Sequence, residues 1–265
     1  MTISYSEFLL IFLVPFILLF AVIQRHKFMS PQVWYVLVMA LVAFLYTPIW
    51  DNYLVANEVW WYDEDLVWGI TLAWVPLEEY LFFILQPLMT GFGLLWLNDR
   101  LTPRGPREVN DPRFRHWTLG ATFAFWLLNV VGFFFGPESL TYMTLILMWA
   151  LPPVMIQLAY GADILRNRGR LVVIALLISS VYLSLADALA IYIGIWTISP
   201  AQTIGLYLGG VLPFEEALFF FMTNVLLVFG IVLYLEPESH RRLARLMAWV
   251  GRLRGGRRRG SPMLD

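Results

Sequence analysis

Seven stretches of this chain are long and apolar enough to cross a lipid bilayer as helices, and together they occupy most of its 265 residues. A hydrocarbon core needs roughly 20 residues at the helical rise, and a backbone inside it must satisfy its own hydrogen bonds. The runs extend from Tyr5 to Gln24, Gln32 to Trp50, Val75 to Leu97, Trp117 to Phe135, Thr141 to Tyr160, Leu171 to Ile193 and Val211 to Leu235. The pattern predicts an all-α membrane protein with seven transmembrane helices and leaves no room for a separate soluble domain.

Basic residues are retained on the cytoplasmic side. All 18 lysines and arginines fall in alternate connections: Arg25 and Lys27 after span one, five arginines from Arg100 to Arg115 after span three, Arg166, Arg168 and Arg170 after span five, and eight arginines from Arg241 to Arg259 in the tail. The opposite connections carry Glu58, Asp63, Glu64, Asp65 and Glu138 and no basic residue. The N-terminus is therefore expected outside and the C-terminus in the cytoplasm. Span one is not read as a cleaved signal, because Glu7 stands where a positive cluster belongs and no small-residue cleavage site follows. Cysteine is absent, and His26, His116 and His240 all lie in the cytoplasmic segments, so neither a thiol site nor a metal centre inside the membrane is expected.

The chain repeats itself. Val75 to Phe83 reads V-P-L-E-E-Y-L-F-F and Leu212 to Phe220 reads L-P-F-E-E-A-L-F-F. Pro76, Glu78, Glu79, Phe82 and Phe83 thus match Pro213, Glu215, Glu216, Phe219 and Phe220 at an offset of 137, which Pro15 and Pro152 share, while Asp51 matches Asp187 and Trp60 matches Trp196 at 136. Spans one to three then correspond to spans five to seven, with span four as connector. An odd connector restores parallel orientation, giving two parallel three-helix repeats joined by one helix (3+1+3) about an axis along the membrane normal. The expected units are 1–100, the first repeat; 101–137, basic loop and connector; 138–236, the second repeat; and 237–265, the basic tail. Equivalent residues come to one depth, so six carboxylates, Asp51, Glu78, Glu79, Asp187, Glu215 and Glu216, are expected in one layer.

A proline followed by glutamates is an ordinary helix start, where anions complement the dipole. Two copies inside apolar runs, each with a matched Asp and Trp upstream, point instead to a site, because charge at bilayer depth is costly. Neighbouring helical residues point about 100° apart, so one glutamate of each pair is expected to face the cavity. Phe82, Phe83, Phe219 and Phe220 lie one turn on, at i+3 and i+4. Buried carboxyls in pairs divide into an acid and a base, and aromatic faces stabilise cations by roughly 0.5 to 2 kcal/mol each. Such a lining suits carbocation chemistry on an apolar substrate, although Phe and Trp are abundant throughout the chain.

The doubled P-x-E-E-x-x-F-F pattern, the preceding Asp and Trp, and the 3+1+3 plan resemble the integral-membrane lycopene cyclases of carotenoid biosynthesis over essentially residues 1 to 235. In that family two three-span subunits occur as separate or fused chains, and a similar unit begins the bifunctional fungal cyclase/phytoene synthases; this chain has no room for the synthase part. The resemblance implies a multi-pass membrane enzyme that cyclises the ψ-ends of lycopene to β-ionone rings without net redox change or cofactor. Glu78 or Glu79 and Glu215 or Glu216 would be acid and base, Asp51 and Asp187 would support them, and Trp60, Phe82, Phe83, Trp196, Phe219 and Phe220 would surround the substrate. Its partners would be lycopene and other carotenoids, membrane lipid and neighbouring carotenoid enzymes, with no nucleic acid. Gly91 and Gly93 make only a truncated dinucleotide fingerprint inside a span.

A proton-coupled solute transporter is the alternative, because some small transporters share the parallel-repeat plan. A retinal photoreceptor needs a lysine in its last span, and the one lysine, Lys27, lies in a loop. The halves diverge after the motif, Gln86 and Pro87 against Thr223 and Asn224, which leaves room for unequal catalytic roles. In the tail from His240 to Gly260, arginines alternate with Leu243, Leu246, Met247, Val250 and Leu253, as in a helix lying on an anionic leaflet or a basic tail that only enforces topology. Asp163 and Arg166 are expected to form a surface ion pair.

Overall fold

The structure, a computed structural model, describes residues 3–101 and 109–258. Arg104, Arg107 and Arg259 lie outside the described residues, as do the side chains of Val250, Arg252, Leu253, Arg254, Arg257 and Arg258. The elements in chain order are α1 (Tyr5–Phe12), α2 (Val14–Ile23), α3 (Pro31–Ala56), β1 (Trp60–Tyr62), β2 (Thr71–Leu72), β3 (Val75–Pro76), α4 (Leu77–Arg100), α5 (Pro112–Phe135), α6 (Thr141–Asn167), α7 (Gly169–Ile193), β4 (Trp196–Ile198), β5 (Tyr207–Leu208), β6 (Leu212–Pro213), α8 (Phe214–Leu235) and α9 (Pro237–Arg258). Among the described residues, seven helical segments are long and apolar enough to cross a membrane, α1 and α2 together forming the first and α9 belonging to none.

Local chemistry sets the helix ends. Ser4 and Glu7 form a reciprocal capping box at α1, with the Ser4 N–H donating to Glu7 Oε2 at 2.8 Å. Pro15 lacks an N–H and its ring crowds the carbonyl four residues back, and the first span is accordingly interrupted at Leu13. Asp111 Oδ1 accepts the Phe114 N–H at 3.0 Å to start α5, and Gly194, at φ 84°, ends α7 in the left-handed conformation that a helix stop favours. Helix α3 continues to Ala56, so Asp51 sits within it rather than at its end.

Helices α4 and α8 form the centre of the bundle, and α5 lies outermost, packed on α6. A Cβ at Gly91 would lie 2.6 Å from Val36 Cγ1, so α3 and α4 approach as closely as they do because that position lacks a side chain. Asn224 Oδ1 accepts from Gln86 Nε2 at 3.1 Å and from Thr90 Oγ1 at 3.0 Å, while Asn224 Nδ2 donates to Ser180 Oγ at 3.2 Å. Divergence between the two halves after the motif thus builds a buried polar link among α4, α7 and α8.

Contacts recur at the repeat offset. The Tyr46 hydroxyl donates to the Trp149 carbonyl at 3.0 Å, and Tyr182, 136 positions on, donates to the Phe12 carbonyl at 2.7 Å. Strands β1 and β4 pair antiparallel with Trp60 opposite Ile198, Trp61 opposite Thr197 and Tyr62 opposite Trp196, so the equivalent residues Trp61 and Thr197 face each other. Hairpins β2–β3 and β5–β6 precede α4 and α8. These six strands of two or three residues went unforeseen in an all-helical reading, because so short a run carries no alternation to detect. The second hairpin has one more turn residue than the first, which is where the offset changes from 136 to 137.

One expected contact is corrected. Asp163 does not pair with Arg166: its carboxylate, 1% exposed, receives both arms of the Arg242 guanidinium at 2.9 and 2.7 Å and the Asp111 N–H at 2.9 Å. A planar guanidinium satisfies both oxygens of a buried carboxylate at once. Arg166 stays at the surface, 3.2 Å from Asp111 and over the Phe114 ring. The Asp163 hydrogen bonds hold the Arg242 guanidinium above its usual range. Beyond that clasp, Leu243, Leu246, Met247 and Trp249 of α9 are exposed.

Candidate active site

The two glutamates of each motif separate. Helix α4 begins after Pro76 and places Glu78 and Glu79 in its first turn; α8 does the same after Pro213 with Glu215 and Glu216. Glu78 Oε1 accepts the Trp68 N–H at 2.6 Å, and Glu215 Oε1 accepts the Ile204 N–H at 2.7 Å. Both are fully buried and line no wall of the pocket. They fold the preceding loop onto the helix start, assisted by the Leu77 N–H on Ile70 and the Phe214 N–H on Leu206, each 2.8 Å.

Glu79 and Glu216, turned about 100° away, face one pocket together with Asp51 from α3 and Asp187 from α7. The six carboxylates expected in one layer therefore resolve into four at the pocket and two behind it. No Lys, Arg or His is among the residues lining that pocket. Trp60 and Tyr62 on β1 and Trp196 and Ile198 on β4 contribute to the pocket wall, so the pairing of the two strands builds one side of the site from both halves. Phe82, Phe219 and Phe220 line it as well; Phe83 does not, and faces a neighbouring apolar groove.

Three tyrosines hold the glutamates. The Tyr5 hydroxyl donates to Glu79 Oε2 at 2.5 Å, Tyr62 donates to the same oxygen at 3.1 Å, and Tyr142 donates to Glu216 Oε1 at 2.7 Å. Burial first, and the Glu79 carboxyl second, raise the Tyr62 phenol well above its ordinary range, so it is held as a donor. Trp196 Nε1 donates to Asp187 Oδ1 at 3.0 Å, whereas the equivalent Trp60 Nε1 donates to Tyr62 at 3.2 Å. One oxygen of Asp51 and one of Asp187 are buried without a hydrogen-bond partner among the described residues. The rings pack in groups around the pocket: Tyr5 lies 5.0 Å and Phe8 5.5 Å from Trp196, Trp60 lies 5.3 Å from Tyr142, and Phe219 lies 5.0 Å from Phe220.

Sequence reasoning missed Tyr5, Phe8, Tyr62 and Tyr142. Tyr5 and Tyr142 stand 137 apart, the motif's own offset, so the repeat comparison that exposed the glutamates contained them. Tyr62 has no such signal, since its equivalent is Ile198. Chemically, the arrangement offers proton donors and acceptors in an aromatic enclosure that, among the described residues, no cationic side chain lines. That combination can protonate a weak base, stabilise the resulting cation over ring faces and remove a proton again.

The family model described as "Lycopene cyclase" matches residues 4–97 and 139–235. A lycopene beta-cyclase of Halobacterium salinarum is 37% identical over 241 residues, which cover 88% of this chain and 97% of that protein. A bifunctional lycopene cyclase/phytoene synthase of Podospora anserina is 35% identical over 73% of this chain and 34% of its own length. A protein of the same description from Phaffia rhodozyma is 29% identical over 86% and 36%. No solved structure matches. These matches lend the transporter alternative no support.

Proposed function

The chain belongs to the lycopene cyclase family, and from that premise we propose that it is the membrane enzyme that closes the ψ-ends of lycopene to β-ionone rings, giving γ-carotene and then β-carotene. A carboxyl of the Glu79/Glu216 pair protonates the terminal double bond and leaves a tertiary cation. The internal double bond attacks that cation, forming the ring C–C bond and moving the charge into the ring. Loss of a ring proton to the second carboxyl forms the ring double bond. One proton enters and one leaves, so atoms and electrons balance without a redox partner. The proton returns to the acid between turnovers through the pocket carboxyls, to which Asp51 and Asp187 belong.

The observation that carries this reading is the convergence of four carboxyls from α3, α4, α7 and α8 on one aromatic pocket that no basic side chain lines among the described residues. Rings of Trp60, Trp196, Phe82, Phe219 and Phe220 stand where a cation would be stabilised without being captured. Glu78 and Glu215 act one step back, holding the loops that aim their neighbours.

The plan of two parallel three-helix repeats, 1–100 and 138–236, joined by the connector in 101–137 and followed by the tail, is supported by the Tyr46/Tyr182 and Tyr5/Tyr142 contacts and the β1–β4 pairing. The arginine distribution supports a pocket near the non-cytoplasmic face, with the N-terminus outside and the C-terminus in the cytoplasm. Exposed apolar side chains along the spans, such as Leu41, Leu128 and Leu185, meet lipid. The exposed apolar residues of α9 suit the cytoplasmic leaflet surface, where neighbouring carotenoid enzymes would dock.

The test is direct. Purified protein in vesicles containing lycopene should convert it to one- and two-ring products without added cofactor, as read by chromatography and absorbance. Solute flux without new pigment would overturn the reading.

A further inference from the structure

Only the end of a long linear polyene can sit among the four carboxyls; the remainder is apolar and must lie out of water. Phe82 and Phe219, which line the carboxyl pocket, also form the head of an apolar groove between α3 and α6. The groove passes Tyr46 and Trp149 and continues to Met39 and Gln157, about 10 Å further along α3 at 1.5 Å per residue. Its two sides are joined there, with the Tyr46 and Trp149 rings stacked at 5.1 Å and the Tyr46 hydroxyl of α3 bonded to the Trp149 carbonyl of α6. Val42 on its rim is 49% exposed on the outside of the bundle, so the groove opens sideways, toward where lipid chains lie.

The repeat supplies a second groove on the other side, lined by α2, α4 and α7. Ile178, Ser179 and Tyr182 stand there 136 positions after Val42, Ala43 and Tyr46. It shares no lining residue with the carboxyl pocket. Phe16, against the Tyr182 ring at 4.9 Å, takes the place that Pro153 has in the first groove, and Phe20 takes the place of Gln157. Two large rings thus replace a compact proline and a glutamine.

We propose that the groove between α3 and α6 binds the polyene arm of the substrate and admits it laterally from the membrane, one end at a time, while the second groove takes no part. This rests on the cyclase reading and adds the route and the subsite to it. The continuity through Phe82 and Phe219 gives one groove access to the reacting groups, and its exposed rim gives the same groove access to lipid.

Four variants test it in vesicles: Val42→Trp and Ala43→Phe in the first groove, Ile178→Trp and Ser179→Phe at the equivalent places in the second. Val42 and Ile178 face outward, so tryptophan there spares the core if the deeper substitutions impair folding. The expected result is an apparent KM for lycopene, as mole fraction in lipid, raised about tenfold or more by the first pair with kcat little changed, since the arm binds alike in ground and transition states. The second pair should leave both constants within about twofold. Equal effects of the two pairs, or an effect of the second alone, would overturn the inference while leaving the cyclase reading intact. Absence of ring formation by the unaltered protein would remove both.

Discussion

The Tyr5 hydroxyl donates a 2.5 Å hydrogen bond to Glu79 Oε2, tying the first turn of the first membrane helix to the first turn of the third. Tyr142 repeats the contact with Glu216 at 2.7 Å in the second half. The halves part company at the next donor. Tyr62 adds a second hydroxyl to Glu79, and its equivalent, Ile198, has none to offer Glu216. The two pocket glutamates are held alike and hydrogen-bonded unlike.

Tyr142→Phe is therefore expected to slow ring formation more than Tyr5→Phe. The first change removes the one side-chain donor on Glu216 among the described residues, whereas the second leaves Tyr62 on Glu79. A hydrogen bond to a charged group contributes about 1.5 to 3 kcal/mol, so a loss of about 10- to 100-fold in kcat is expected for Tyr142→Phe and a smaller one for Tyr5→Phe. Steady-state rates in vesicles at matched protein amounts check this. Equal losses would mean that Tyr62 does not make up for Tyr5 on Glu79.

Glu79→Gln and Glu216→Gln should each lower turnover by about 100- to 10,000-fold, the range of a lost general acid or base. Glu78→Gln and Glu215→Gln keep an oxygen for the Trp68 and Ile204 N–H groups and should cost far less. Product formation, with membrane insertion as control, separates the two classes. Full activity in both pocket variants would remove the acid–base assignment.

Phe82→Leu keeps an apolar side chain at the boundary of pocket and groove and removes a ring face. A cation–ring interaction contributes about 0.5 to 2 kcal/mol, so kcat should fall by about 2- to 30-fold while retention of lycopene changes little. Equal losses in rate and retention would reduce Phe82 to packing.

Arg242→Ala should destabilise the protein by about 3 kcal/mol or more, because it strands the buried Asp163 carboxylate without its main cation. Adding Asp163→Asn should recover part of the loss. Thermal unfolding in detergent measures both, and an unchanged Tm in the single variant would show that the clasp does not hold the folded state together.

The absence of cysteine makes topology easy to test by introducing single cysteines. Glu58→Cys should react with a membrane-impermeant maleimide added outside intact cells, and Arg170→Cys only after permeabilisation; both positions are exposed. The reverse pattern would invert the orientation and move the pocket to the cytoplasmic face.

Much of the site was legible because the chain carries two copies of it. Glu79 and Glu216 came forward as a repeated, expensive pattern, and Asp51, Asp187, Trp60 and Trp196 followed at nearly the same offset. Which glutamate of each pair faces inward was not legible, since a 100° step distinguishes neighbours only once the helix has been set against its surroundings. Phe83 and Phe220 match in sequence, yet Phe220 lines the pocket and Phe83 the groove. Arg242 joins Asp163 from 79 positions away, a pairing that no local spacing announces.

By itself the sequence determined what bilayer physics dictates over short distances: seven apolar spans of sufficient length, arginines in alternate connections, and paired acidic residues at the heads of two of those spans. Tertiary structure decided which carboxyls meet, which tyrosines hold them and which of two similar grooves reaches them. Helix rotation and the packing of remote segments set those outcomes. Unlike hydrophobic length, they are properties of several elements together, so no single stretch of the chain contains them.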